Sequence, residues 1–141
     1  FFNNKIDNAI QNNISVIASS GNEGYINGTT YPACYLPVTS IGAVYDENLG
    51  REPDSGSWFL TNCFDSSTNP DIIPCFTNRA DNLDLLAPGC RITSTKMGGG
   101  FSIYCGTSQA APHVAGAAAL MLQKDRTLTP YNITQILKIS G

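Results

Sequence analysis

Histidine is the scarcest chemically useful residue in this sequence, with a single copy, His113, among 141 residues. The five cysteines form no CxxC pair, so a zinc site made of cysteine and histidine has too few ligands. Long hydrophobic runs are also missing, because the longest, residues 115–122, is far too short to cross a bilayer. The sequence therefore disfavours both a zinc protein and a membrane-spanning one.

Positive charge is sparse as well. Eight basic residues stand against 11 acidic ones, which gives a net charge of -3, and the basic residues form no cluster. A surface that binds nucleic acid or anionic lipid needs concentrated positive charge, so we expect neither nucleic acid nor a membrane as a partner. With 42% hydrophobic residues, the chain has enough apolar material for the core of one globular domain.

The cysteines are better explained as disulfides than as metal ligands. Cys63 and Cys75 bracket a polar loop, and Cys90 and Cys105 lie on either side of the run MGGG, as two facing positions of a hairpin would. We predict that both pairs are oxidised, which implies a secreted or extracytoplasmic protein. Cys34 is then either a buried free thiol or paired with a cysteine outside these 141 residues. Five reduced, buried cysteines remain the alternative.

The pattern of apolar residues predicts an α/β fold. Helical spacing in residues 6–10 is followed by the β-branched run 14–19, which ends at a glycine. Two more continuous apolar runs, 38–44 and 83–89, are typical of strands covered on both faces, which favours a parallel sheet flanked by helices. The polar segment of about 45–82 lies between these two runs and is predicted to be a loop excursion, most of it on the surface.

The last third of the sequence predicts a hairpin followed by two helices. RITST and FSIYC, separated by MGGG, have the pattern of a β-hairpin. From Ser108 to about Gln123 the small and apolar residues are nearly unbroken, so we expect a central helix that is buried on all sides. Thr129 and Pro130 have the residue types of an N-cap and a first helical position, and open the final helix.

The run GTSQAAPHVAG places Ser108 and His113 five residues apart. On a helix this spacing rotates two side chains by about 140° and separates them by roughly 7.5 Å along the axis, so they point apart. A serine nucleophile needs an imidazole within hydrogen-bond reach, and the sequence has no second histidine. Any base for Ser108 therefore has to come from elsewhere, and we interpret His113 as a packed, hydrogen-bonded core residue.

Two features predict a site that stabilises negative charge. The backbone N–H of Ser108 would be one of the unpaired donors at a helix N-terminus, where the helix dipole favours an anion. Asn22 follows a buried strand, at the sheet edge where ligands of open α/β folds gather, and its amide could donate a second hydrogen bond. Taken alone, each residue has a simpler interpretation, as an N-cap serine and as a turn asparagine.

Four blocks of sequence carry a family resemblance: VIASSGNEG, YPACYLPVTSIGAV, LDLLAPGCRITST and GTSQAAPHVAGAAALML. In order and spacing they resemble the carboxyl-terminal half of the catalytic domain of subtilisin-like serine peptidases. The resemblance covers nearly all of residues 1–141 and departs only at about 45–82, which is longer than the family loop. It implies an incomplete three-layer α/β fold, with a mostly parallel sheet, flanking helices, and a β-hairpin before the central helix that carries Ser108.

The resemblance also implies roles for single residues. Ser108 would be the nucleophile, Asn22 the side chain of the oxyanion hole, and His113 a structural histidine. The residues of the pocket for the side chain before the scissile bond would be Ser19, Ser20 and Gly21 on one wall, Glu23 at the far end and Thr30 on the opposing wall. Gln109 stands where many members have methionine, so we expect the protein to resist peroxide.

No cofactor is required by the implied chemistry. The backbone carbonyls of Ala33, Tyr35 and Val38 match a weak cation site of some family members, which would hold a structural calcium or sodium ion. Such an ion would stabilise the fold and take no part in the reaction.

In this family the catalytic triad runs Asp, His and Ser along the chain, so its first two members would precede Phe1. The opening FFNNKIDNAI has neither an initiator methionine nor the pattern of a signal peptide, so we expect it to lie inside a longer protein. The resemblance implies a serine endopeptidase that cleaves polypeptides through an acyl-enzyme once the missing amino-terminal half is present. The 141 residues alone should be inactive. The alternative is an inactive remnant that serves as a binding or structural module.

Overall fold

The computed structural model describes residues 2–50 and 63–140. In chain order, its elements are helix α1 (Phe2–Gln11), strands β1 (Ile17–Ser19), β2 (Thr39–Val44), β3 (Leu85–Pro88), β4 (Ile92–Thr95) and β5 (Phe101–Tyr104), and helices α2 (Thr107–Lys124) and α3 (Pro130–Ser140). The predicted order of helices and strands, including the hairpin, is confirmed. Within these two ranges, no helix is long and apolar enough to cross a membrane.

Strands β1, β2 and β3 form a parallel sheet in that order. Ile17 pairs with Thr39, and Ile41 pairs with Leu85. Because the three strands run in the same direction, their carboxyl ends meet at one edge of the sheet. The predicted parallel sheet is confirmed, and the segment that carries Asn22 leaves the sheet at this edge, directly after β1.

The core lies between the sheet and α2. Its buried members are Ile41, Ala43, Phe76, Ala87, Ala110 and Val114. The helix approaches the sheet closely, since a Cβ placed on Gly89 would lie 2.6 Å from the Ala43 Cβ and 3.0 Å from the Gly106 carbonyl oxygen. The Gly106 N–H also donates to the Gly89 carbonyl at 2.7 Å. These contacts place the first turn of α2 beside the end of β3.

Helix α3 packs against the same sheet through polar contacts as well as apolar ones. The hydroxyls of Thr39 on β2 and Thr134 on α3 are 2.8 Å apart and form a hydrogen bond. Lys138 on α3 forms an ion pair with Asp84 at 2.6 Å, one residue before β3. The parallel sheet with helices against it confirms the predicted α/β class.

Helix α2 is not buried on all sides, so that prediction is wrong. Its buried residues are Thr107, Ala110, Val114 and Ala118, which recur every three or four positions and form one stripe toward the sheet. Leu120, on another face, is 68% exposed. An unbroken run of small and apolar residues allows burial on every face, but burial occurs only where another layer lies against the helix.

The segment predicted as a surface excursion is only partly on the surface. Its residues 51–62 lie outside the described part of the chain. The described residues 45–50 and 63–82 contain none of the helices and strands named above, as expected of a loop. Residues 74 and 76–78 are fully buried, however, and Phe76 is part of the core. The surface prediction is wrong for this stretch because the polar composition of the segment concealed one aromatic residue that packs in the core.

Both predicted disulfides are present, Cys63 with Cys75 and Cys90 with Cys105. The second bridges the two ends of the β4–β5 hairpin, whose strands pair antiparallel. The alternative of five reduced cysteines is therefore wrong. Cys34 is unpaired and exposed within the described chain, so the interpretation of Cys34 as a buried thiol is wrong too.

Candidate active site

Ser108 lies on the first turn of α2, and its side chain is exposed. The chain enters the helix through Gly106, whose φ of 148° is a conformation that side chains rarely adopt. Within the described chain the Ser108 N–H donates to no carbonyl, as expected for one of the first four N–H groups of a helix. An exposed hydroxyl and a free N–H donor thus meet at the positive end of the helix dipole.

Asn22 is held against the start of α2 by Thr107. The Thr107 N–H donates to Asn22 Oδ1 at 2.8 Å, and the Thr107 hydroxyl donates to the same atom at 2.9 Å. A backbone N–H can only donate, so this contact identifies the oxygen end of the carboxamide. The hydroxyl in turn accepts from the Gly21 N–H at 3.2 Å. Asn22 Nδ2 is therefore left as a donor, on a side chain anchored to the residue before Ser108.

The turn between β1 and Asn22 requires a glycine. Gly21 is buried and has a φ of 108°. A Cβ at this position would lie 2.6 Å from Glu23 Oε2 and 2.7 Å from Thr30 Oγ1. Both the backbone conformation and the lack of space exclude a larger residue, so Gly21 sets the direction in which Asn22 leaves the strand.

The residues predicted to line a substrate pocket are neighbours in the structure. Ser19 ends β1 and Ser20 is fully buried. The Thr30 N–H donates to the Ser20 carbonyl at 2.8 Å, and the Thr30 hydroxyl donates to it at 3.2 Å. The side chains of Glu23 and Thr30 occupy the space that a Cβ on Gly21 would need, so these three residues lie next to one another. The structure thus brings the set together, and its role in substrate binding stays a prediction.

Asn78 is a residue of this site that sequence analysis missed. It is fully buried. Its Oδ1 accepts from the Glu23 N–H at 3.0 Å and from the Tyr25 N–H at 2.9 Å. Its Nδ2 donates to Glu23 Oε2 at 2.6 Å and to the Ser20 carbonyl at 3.2 Å. No motif or periodicity singles out Asn78 in its polar segment, so only the folded chain identifies it.

Thr107 was also missed, although a weak signal was present. In the run GTS, Thr107 precedes Ser108, and a threonine at the first position of a helix commonly uses its hydroxyl locally. Here the hydroxyl instead reaches Asn22, 85 residues away along the chain. That pairing is not visible in the local sequence.

The other side of Ser108 is an open cavity of about 350 Å³. Its lining residues are Ile92, Thr93, Ser94, Ser108, Gln109, Pro112 and His113. His113 Nδ1 lies 2.8 Å from the Gln109 carbonyl oxygen, which can only accept, so Nδ1 carries the hydrogen. No hydrogen bond joins His113 to Ser108 among the described residues, in agreement with the helix geometry. His113 is hydrogen-bonded as predicted but exposed, so its placement in the core is wrong. It lies outside the buried stripe of α2 and lines open cavities that β3 and β4 border.

Comparison with known proteins decides the family, because the model of the subtilase family matches residues 1–140. The chain belongs to the subtilase family. Subtilisin E of Bacillus subtilis (strain 168) is 37% identical over 127 residues, which are 88% of this chain and 27% of that protein. An intracellular serine protease of Paenibacillus polymyxa is 35% identical over 122 residues, 84% of this chain and 30% of that protein.

Solved structures agree with this subtilase assignment. The crystal structure of a cold adapted subtilisin-like serine proteinase matches with a TM-score of 0.75 at 31% identity, over 96% of this chain and 41% of that one. The family resemblance inferred from four sequence blocks is confirmed, and so is the subtilisin-like α/β fold. This subtilase chain spans less than half the length of the relatives named here.

The predicted cation site of this subtilase chain consists of backbone carbonyls. The Ala33 carbonyl accepts from Asn82 Nδ2 at 3.2 Å, and the Tyr35 carbonyl accepts from the Val38 N–H at 2.9 Å. Each of the two keeps one lone pair for another partner. Among the described residues, no three acidic, cysteine or histidine side chains cluster as metal ligands. The calcium or sodium site stays a prediction, and no step of the reaction proposed below depends on it.

Proposed function

We propose that the protein containing this chain is a serine endopeptidase in which Ser108 is the nucleophile. One observation carries the proposal: Thr107 binds the oxygen of the Asn22 carboxamide, and the next residue is Ser108, with an exposed hydroxyl and a free N–H. Two hydrogen-bond donors and a nucleophile are therefore grouped at the start of one helix. The family membership of the chain supports the same chemistry.

The proposed oxyanion hole consists of Asn22 Nδ2 and the Ser108 N–H. When Ser108 Oγ attacks a peptide carbonyl, the carbonyl oxygen becomes negatively charged, and both donors bind it in the tetrahedral intermediate. The two hydrogen bonds from Thr107 orient Asn22 before substrate arrives, so little reorganisation is needed during the reaction. Collapse of the intermediate releases an amine and leaves an ester on Ser108, which water then hydrolyses.

The proposed general base is a histidine outside these 141 residues, oriented by an aspartate that is also outside them. The only histidine of the chain is His113, whose Nδ1 is engaged by the Gln109 carbonyl. The open cavity beside Ser108 leaves room for an imidazole to reach the hydroxyl. The length of the relatives supports this division, since the match covers 27% of Subtilisin E. On this proposal the 141 residues alone are inactive.

The proposed substrate is a polypeptide, bound with the side chain before the scissile bond in the pocket formed by Ser19, Ser20, Gly21, Glu23 and Thr30. The proposed location is secreted or extracytoplasmic. Two disulfides support it, because such bonds persist in oxidising compartments. One relative is named an intracellular protease, so the location depends on the disulfides rather than on the family.

The test is the activity of the full-length protein toward peptide substrates, together with labelling by a fluorophosphonate probe. Ser108→Ala should abolish both, whereas Ser66→Ala, a change at an exposed loop serine, should leave both unchanged. The isolated 141 residues should not be labelled. Labelling of the isolated chain at the rate of an active protease, or loss of activity in the full-length His113→Gln variant alone, would overturn the assignment of the base. A full-length protein that neither cleaves nor labels would favour the inactive binding module.

A further inference from the structure

We propose that Asn78 is a positioning residue for the oxyanion hole: it holds the backbone that carries Asn22 in the geometry that the transition state requires. This inference rests on the proposed function, because it concerns the same oxyanion. Asn78 does not touch the reacting atoms and would act entirely through Asn22.

The hydrogen-bonding capacity of Asn78 is fully used. A carboxamide offers two N–H donors and an oxygen that accepts two hydrogen bonds. The oxygen accepts from the N–H groups of Glu23 and Tyr25, and the nitrogen donates to the Ser20 carbonyl and to Glu23 Oε2. The side chain is 0% exposed, so water offers no replacement for a lost partner.

These partners lie on both sides of Asn22 in the chain. Ser20 precedes it by two residues, whereas Glu23 and Tyr25 follow it. The Asn78 backbone N–H adds a bond to the Gly21 carbonyl at 3.1 Å. Asn22 is therefore fixed twice: Thr107 orients its side chain, and Asn78 orients the backbone from which that side chain projects.

The consequence that acts through Asn22 is confined to the transition state. The oxyanion exists only after Ser108 attacks, so a displaced Asn22 Nδ2 weakens the transition state and leaves ground-state binding nearly unchanged. Weaker stabilisation of the transition state alone lowers kcat and leaves KM unchanged. A general loss of folded protein would instead reduce the number of active sites.

Asn78→Asp is the sharpest substitution because it keeps the size and both acceptor positions of the side chain. It removes the two N–H donors and places a carboxylate against the Ser20 carbonyl and the Glu23 carboxylate. Asn82→Asp is the matched control on the same segment. Asn82 Nδ2 donates to the Ala33 carbonyl and to Thr29 Oγ1, both at 3.2 Å, and has no hydrogen bond to residues 20–25.

The experiment uses the full-length protein, with active sites counted by the endpoint of fluorophosphonate labelling. Per active site, Asn78→Asp should lower kcat about tenfold, less than the roughly 10²- to 10³-fold cost of removing an oxyanion donor outright. The inference is judged on kcat, because Asn78 also binds Ser20 and Glu23 of the proposed substrate pocket and a change in KM would report that pocket. Asn82→Asp should change neither constant more than about twofold. If Asn78→Asp does not give folded protein, Asn78→Ser, which adds no charge, is measured against the same criteria.

A double variant decides whether Asn78 acts through Asn22. In the Asn22→Ala background the donor is already gone, so adding Asn78→Asp should cost less than about twofold in kcat. A full tenfold loss in that background overturns the inference, as does a normal kcat in the single variant. These outcomes differ from failure of the proposed function, in which Ser108→Ala would remain active.

Discussion

The two sides of Ser108 are built in different ways. On the first, here termed the oxyanion side, Thr107 is hydrogen-bonded to the Asn22 side chain, and Asn78 is hydrogen-bonded to the chain on either side of Asn22. Both Thr107 and Asn78 are fully buried. On the second, termed the open side, β4 and α2 border a cavity of about 350 Å³ lined in part by exposed side chains such as His113. One side is organised within this chain, and the other leaves space next to Ser108.

On the proposed function, the contrast bears on which half of the chemistry this chain would supply. An oxyanion hole works by having its donors oriented in advance, which requires supporting hydrogen bonds of the kind found around Asn22. A general base has to touch the serine hydroxyl, and no group of the open side does so among the described residues. We expect substitutions on the oxyanion side to cost much more activity than those on the open side.

Removing the Asn22 carboxamide should have the largest effect. Asn22→Ala in the full-length protein should lower kcat by about 10² to 10³, a magnitude taken from subtilisin rather than derived from this structure. KM should change little, because the lost hydrogen bond forms only with the oxyanion. Steady-state kinetics with a peptide substrate measure both constants. Asn27→Ala, at an exposed position five residues on, is the control, and a loss below about threefold at Asn22 would remove the contrast between the two sides.

Removing the Thr107 hydroxyl should have an intermediate effect. Thr107→Val keeps the shape and the backbone N–H but leaves Asn22 Oδ1 with one donor and the buried Gly21 N–H without an acceptor. The free energy of unfolding should fall by about 1–3 kcal/mol, and kcat should fall as well. Denaturant unfolding and steady-state kinetics test the two claims, and Thr107→Ser should restore both properties.

The matching change on the open side is Thr93→Val, on β4, at an exposed residue that lines the cavity. Its free energy of unfolding should stay within about 0.5 kcal/mol of the parent. If Thr93→Val and Thr107→Val lowered the free energy of unfolding equally, the two sides would not differ in how strongly hydrogen bonds stabilise them.

A third substitution, Thr127→Ala, is remote from both sides of Ser108 and should have the smallest effect on the protein. The Thr127 hydroxyl donates to Asp125 Oδ1 at 2.6 Å and the Thr127 N–H donates at 2.9 Å, which together lower the pKa of the Asp125 carboxyl. A lowered pKa means that this contribution to stability is complete above the pKa of the unfolded chain and is lost as pH falls through the folded value. Thr127→Ala should raise the pKa of Asp125 toward its ordinary value, as followed by NMR titration. Thr127→Ser keeps the hydroxyl and should preserve the shift, and an unchanged pKa in the alanine variant would refute the assignment.

Prediction from sequence succeeded where the signal is local. The hairpin followed from RITST, MGGG and FSIYC, and both disulfides followed from cysteines that flank short loops. Ser108 and Asn22 became candidates because each follows a glycine at the end of an element and because the family resemblance implies their roles, which stay predictions. The local signals span at most about 15 residues, the separation of Cys90 and Cys105.

Prediction failed where the burial of a residue depends on which other element packs against it. The run after Ser108 predicted a helix buried on all sides, yet only the stripe through Ala110 and Val114 meets the sheet. The polar composition around Phe76 and Asn78 predicted a surface loop, yet both side chains are fully buried. Residue type states what a position can tolerate, whereas burial depends on the neighbouring layer.

The sequence alone determined the helices and strands and the two disulfides, because periodicity, turn residues and flanking cysteines are local properties. The order and spacing of four blocks along the chain indicated the family and the candidate roles of Ser108 and Asn22. Only the tertiary structure decided how Asn22 is held. Its anchor on Thr107 lies 85 residues away, and the bond between Glu23 and Asn78 spans 55 residues. Pairings at that range depend on the path of the whole chain through the sheet, so the support of the oxyanion side became visible only in the folded molecule.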